Sequence, residues 1–169
     1  MNVIIFLFFM LFSVVIQADP APFGLVINKT TTEELKGKYP VTPLGINKNN
    51  GMQAFDIEPQ NIDFEGLISA KAAFGDDGVL KIVQMSLPKT KFEDIFTSLS
   101  KKYTLVYKNI PVDGNKEAKF IEGNTYILLY APQASTEMDF LYINKKLLED
   151  ALQLKPEAQA KKNKEISQL

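Results

Sequence analysis

Five apolar or aromatic side chains late in the chain fall at strand spacing. Tyr126, Leu128 and Tyr130 occupy alternate positions, and Phe140 and Tyr142 do the same in the next apolar run. Side chains two apart on a strand share a face. Tyrosine joins a rigid apolar ring to a polar tip, which suits recognition of another protein. Tyr126, Tyr130, Phe140 and Tyr142 are therefore the candidate partner-binding residues, with the two strands expected to show them on one face. The competing expectation is that these rings cover the core edge or pack under a C-terminal helix.

Other residues have chemical potential with a plainer explanation beside it. Asp56 with Glu58, and Asp63 with Glu65, are carboxylate pairs at alternate positions, the material of a hard-cation site or a glycosidase acid pair. Phe55, Ile57, Ile62 and Phe64 alternate with them and take the core side, so a solvated sheet face is expected. Asp76-Asp77-Gly78 lacks the spacing of a calcium loop and reads as a hairpin turn. Lys71 and Lys81 flank that turn at positions that would let them face one another. A buried lysine of lowered pKa can act as nucleophile or base, but solvated lysines are the expectation. Lys161, Lys162 and Lys164 suit anionic lipid or an acidic partner, and otherwise serve solubility.

The residue types that are missing narrow the chemistry further. The 169 residues include no His, Cys or Trp, and all 19 basic residues are Lys. Without His there is no ordinary general base near neutral pH. Without Cys there is no thiolate nucleophile, zinc-thiolate site or disulfide. Without Arg there is no bidentate fork for phosphate or carboxylate. The expectation is a non-enzyme with no cofactor and no metal. A net charge of -1 argues against nucleic acid as a partner, because phosphate binding needs a basic surface.

Residues 1–18 carry no charged side chain, and Val3 to Ile16 is apolar apart from Ser13. A core helix would show polar residues every third or fourth position. The stretch fits the apolar region of a secretory signal peptide cleaved after Ala18, ahead of Asp19-Pro20. The alternative is an uncleaved inner-membrane anchor over Val3 to Ile16, since a span needs about 20 residues. Export without cysteine points to a bacterial periplasmic or secreted protein, because small secreted eukaryotic domains usually carry disulfides. Asn28-Lys29-Thr30 matches a glycosylation sequon, a three-residue pattern of little specificity.

Residues 19–23 read as a Pro-rich linker, and a single domain is expected over 24–154. Within it, Lys29-Thr30-Thr31-Thr32-Glu33-Glu34-Leu35 aligns without gaps to Lys89-Thr90-Lys91-Phe92-Glu93-Asp94-Ile95, and each copy runs on to a Lys-Tyr pair. Thr30 with Glu33 and Thr90 with Glu93 form T-x-x-E capping boxes, which predict helices over 31–38 and 91–102. Phe92, Ile95, Phe96 and Leu99 form the buried face of the second. After each helix the period becomes two. Strands are predicted over 41–46, 52–58, 64–74 and 79–87, then over 104–109, 119–122, 125–131 and 138–143. Asn144 caps a third helix over 145–154, with Leu147, Leu148, Ala151, Leu152 and Leu154 as its apolar stripe. Residues 155–169 are expected to form a flexible charged tail. The fold class is α+β: two related helix-then-antiparallel-strand units, about 24–87 and 88–154, forming one domain with a C-terminal helix.

The two K-T-x-x-E-[DE]-[LI] helix starts, with the strands that follow over roughly Phe23 to Ile143, resemble the architecture of the β-lactamase inhibitor protein and of small outer-membrane-assembly lipoproteins. The resemblance implies a protein that binds proteins. No family site residue is carried over, because the inhibitor's disulfides and the lipoproteins' lipidated Cys have no counterpart here. The expected function is non-catalytic protein binding in the cell envelope, as a subunit or accessory factor of an assembly. An inhibitor or immunity protein that plugs an enzyme's cleft with Gly75 to Gly78 is a second reading. A carbohydrate-binding module or acid-pair hydrolase is a third.

Overall fold

A computed structural model describes residues 18–48 and 50–153. The signal or anchor segment, Leu154 and the charged tail with its lysine cluster lie outside the described residues. Among the described residues no helix is long and apolar enough to cross a membrane.

The first helix, α1 (Thr32–Lys38), starts one residue later than the sequence pattern predicts. Thr31 is its N-cap: its hydroxyl accepts from the Glu34 N–H at 3.3 Å, and Glu34 Oε2 accepts from the Thr31 N–H at 2.7 Å. The run Thr30-Thr31-Thr32-Glu33-Glu34 satisfies T-x-x-E in two phases. Thr30 loses that competition because it is engaged elsewhere. Its hydroxyl accepts from the Val26 N–H and its carbonyl from the Leu80 N–H.

The second expected capping box does not form. A 3-10 turn (Lys89–Lys91) precedes α2 (Phe92–Lys102), and the extended residue ahead of this helical run is Pro88, which has no side-chain acceptor. Glu93 instead pairs with Lys116 at 2.6 Å. The amphipathic face is as expected: Phe92, Ile95 and Leu99 are buried and Phe96 packs half-buried against them. The third helix, α3 (residues 145–153), is capped by Asn144, whose Oδ1 accepts from the Leu147 N–H at 2.8 Å.

The eight strands are β1 (Val41–Ile46), β2 (Gln53–Ile57), β3 (Ser69–Phe74), β4 (Leu80–Pro88), β5 (Thr104–Asn109), β6 (Lys116–Glu122), β7 (Thr125–Ala131) and β8 (Glu137–Asn144). β3 begins five residues after the predicted start, because the Phe64 N–H turns back to Ile62 and the Leu67 N–H to Phe64, which keeps 64–67 in a turn. All eight form one antiparallel sheet in the order β1-β2-β3-β4-β8-β7-β6-β5. Two meanders of four strands therefore join through β4 and β8.

Register sorts the side chains between the two faces. One row runs Phe55, Ala72, Val83, Tyr142, Ile127, Phe120, and its neighbour Ile57, Ala70, Met85, Phe140, Leu129, Ala118. These rows are buried with Leu35 of α1 and with Phe92, Ile95 and Leu99 of α2, so this is the helix-covered face. α3 belongs to the opposite face, where the Tyr126 hydroxyl donates to Glu149 Oε1 at 2.9 Å.

The Pro-rich stretch from Asp19 to Phe23, expected as a linker, is tied into the domain. Asp19 Oδ1 accepts from the Asn124 N–H at 2.7 Å and from the Thr125 hydroxyl at 2.9 Å. Pro20 is buried, and the Phe23 ring meets Phe64 edge-on at 6.0 Å. Asn28, with φ of 66°, gives its side-chain amide to Asp19 and Asn124 and accepts from Asn144 at 2.6 Å. The sequon asparagine thus has a structural role.

The join between the meanders yields a prediction. Met85 is 1% exposed and pairs with Phe140 across the β4–β8 seam. Met85→Ala is expected to lower stability by about 2–5 kcal/mol, the range for a truncated core side chain. Urea denaturation should show a lower midpoint with an unchanged m-value and one cooperative transition. Separate transitions for the two halves would contradict this shared core.

Candidate functional site

The four candidate residues do not share one face. Tyr126 pairs with Ile143, Leu128 with Leu141 and Tyr130 with Asp139, which puts Phe140 and Tyr142 opposite Leu129 and Ile127 on the helix-covered side. A register offset by one residue moves every side chain of a strand to the other face, and sequence periodicity does not fix that offset.

Phe140 and Tyr142 lie against one another at 5.0 Å between ring centroids and floor a groove of about 360 Å3 beside α2. Phe64, Ile95 and Leu99 form its apolar walls, and Glu65, Lys91, Asp94 and Ser98 stand around it. Glu65 Oε2 and Lys91 Nζ are 3.0 Å apart. Burial holds the Tyr142 phenol well above the usual tyrosine value, and the hydroxyl of Tyr103 hydrogen-bonded to it acts in the same direction. These two rings belong mainly to the core.

Tyr126 and Tyr130 remain on the open face, but only one of them is available there. Tyr126 is 8% exposed and lies under α3, the competing expectation for it. Burial first, then its hydrogen bond to the Glu149 carboxylate, raises its pKa. Lys119 Nζ sits 3.6 Å from the centre of the same ring, close enough for a cation–π contact.

Tyr130 is 37% exposed, and Tyr107 of β5, which sequence reading left out, is 50% exposed. Tyr107 pairs with Lys119, and Lys119 with Leu128, so these side chains share the open face. Together with Glu117 and Tyr130 they line a hollow of about 230 Å3. Two tyrosines at the rim, an aliphatic floor and a lysine stem offer apolar area with hydrogen-bonding tips. Nothing in the periodicity of Thr104–Asn109 marks Tyr107, because the exposure of that whole strand comes from its place at the sheet edge.

The acidic and basic candidates disperse. Asp56 faces Lys71 across β2 and β3. Glu58 precedes a 3-10 turn and accepts from Gln60 and Asn61. Asp63 is exposed in the following loop, and Glu65 belongs to the ion pair with Lys91. Lys71 pairs with Gln84, not with Lys81. Lys81 binds Asp77 at 2.8 Å, and this contact together with the Val79 N–H lowers the Asp77 pKa. Among the described residues, no group of three metal-ligating side chains comes together. Comparison with protein-family models, curated proteins and solved structures finds no match to this chain.

The buried phenols set an alkaline limit. Tyr142, Tyr126 and Tyr39 all have raised pKa values, so above pH ~10 the unfolded chain releases tyrosine protons that the folded chain keeps. Stability is then expected to fall as pH rises past that point, and Tyr142→Phe should flatten the fall. Denaturation midpoints followed alongside tyrosinate absorbance check this. An equal slope in wild type and variant would remove Tyr142 as the cause.

Proposed function

We propose that this chain is an exported bacterial protein that acts without catalysis, binding a protein partner as a subunit or accessory factor of a cell-envelope assembly. The observation that carries the reading is the hollow on the open sheet face. Tyr107 and Tyr130 stand half-exposed around Leu128 and Lys119, on a rigid sheet whose other face is filled by the core. Interface energy concentrates in tyrosine and similar anchors seated in preformed hollows. Positions on strands also hold such anchors with little entropy left to lose on binding.

Export fits the N-terminal structure. Asp19, the expected first residue after cleavage, is fixed by its own side chain to Asn124 and Thr125, so the residue that would head the mature chain is held in the domain.

Affinity purification of the tagged full-length protein from gently crosslinked envelopes tests the reading. Defined envelope proteins at fixed stoichiometry are expected, with Asp19 as the N-terminal residue of the recovered chain. Tyr107→Ala and Tyr130→Ala should each weaken the interaction roughly tenfold or more, a loss of about 1.4 kcal/mol or above. Each should move the thermal midpoint far less than a core truncation such as Met85→Ala, because both side chains are half in solvent. Retention of the same partners by the double variant would exclude this hollow as the contact.

A further inference from the structure

We propose that β5 is a strand-addition edge that takes an extended acidic segment of the partner protein; this rests on the protein-binding reading above and specifies the partner's chemistry.

The two outer strands of the sheet are not equivalent edges. Edge strands present unpaired N–H and C=O groups, which proteins commonly guard with proline, charge or bulges. In β1, Pro43 has no N–H to offer, and the register slips between Pro43 and Gly45, where Gly45 takes φ of 100°. β5 also slips, between Leu105 and Tyr107, but every residue of Thr104–Asn109 keeps an N–H and 107–109 pair regularly with β6. The position ahead of the slip is proline in β1 and leucine in β5.

The side chains of β5 add a second argument. Leu105 is 39% exposed, Val106 51% and Tyr107 50%, a run of β-forming residues without proline or charge, in which the slip at Val106 is the one guard and Lys108 follows in the same strand. Tyr107 also lines the hollow on the open face, so a strand added to β5 would continue that surface.

Charge selects the occupant. Residues 100–110 contain Lys101, Lys102 and Lys108 and no carboxylate, and with Asp113, Glu117 and Glu122 of the next loop and strand counted, residues 100–122 still hold five lysines against three carboxylates. Lys102 Nζ lies 5.0 Å from the Tyr103 ring and Lys108 Nζ 5.9 Å from the Phe96 ring, cation–π contacts that do not neutralise a charge. An acidic segment would meet complementary potential along this edge. A second copy of the chain would set two such lysine groups against each other. Strand addition draws affinity from main-chain hydrogen bonds and specificity from alternate side chains.

The test places the photocrosslinker benzoylphenylalanine at position 109 on the edge, or at position 130 in the hollow. The full-length protein is then irradiated in the envelope and the crosslinked peptides are sequenced. Position 109 is expected to capture one partner segment with net negative charge. Leu105→Pro, which copies the β1 arrangement, should cut that capture roughly tenfold, and so should the surface double variant Lys102→Glu/Lys108→Glu. Circular dichroism verifies folding. Capture of this chain itself, capture of a segment without net negative charge, or capture unaffected by both variants overturns the proposal. Crosslinking at 130 but not at 109 overturns the edge alone and leaves the protein-binding reading standing, whereas silence at both positions removes both.

Discussion

The seven paired positions between β4 and β8, from Ile82 with Ile143 to Pro88 with Glu137, hold the rest of the molecule in register. Each four-strand meander is closed locally by its own turns, but within the sheet the two meet along this seam. Its alternation serves both faces. Val83 with Tyr142 and Met85 with Phe140 enter the core under the helices, whereas Ile82 with Ile143 and Gln84 with Leu141 face the other way. Ser86 donating to Glu137 at 2.6 Å adds a polar link at the seam. A slip of one residue would exchange the two sets and bury Gln84 where Met85 now sits.

The N-terminal strap reinforces that join from outside the sheet. Asp19 is bound to the β6–β7 turn in one half, while the Asn28 N–H reaches the Leu80 carbonyl in the other at 2.8 Å. Asn28 and Asn144 complete the link. Among the described residues no buried polar side-chain atom lacks a hydrogen-bond partner. The strap therefore ties two parts of the sheet together without leaving a polar atom stranded.

Closing the halves around one seam pushes β1 and β5 to opposite ends of the sheet, where both are exposed. It also leaves one face for helices α1 and α2 and the other only partly covered by α3. Tyr126 and Ile143 are buried on that second face, while Tyr107 and Tyr130 remain half in solvent. The surface left open is thus what the core and the last helix do not need.

Much of the local structure was legible in the residues. Strands β1, β5 and β7 begin and end where period-two alternation predicts, and Gly123-Asn124 closes its hairpin. The buried stripe of α2 and the Asn144 cap also follow from spacing, because short-range hydrogen bonds and 3.6-residue periodicity act within a few residues. Where two local solutions competed, tertiary contacts chose. Thr31 became the cap because Thr30 was held by Val26 and Leu80, and Pro88 with its 3-10 turn displaced the second capping box. The separation of Phe140 and Tyr142 from Tyr126 and Tyr130 belongs to the same class. Each strand's alternation was readable by itself, but the register between β7 and β8 depends on packing against elements far away in the chain. Tyr107 gained its place for the same reason: only the assembled sheet made β5 an edge and set its tyrosine beside Tyr130.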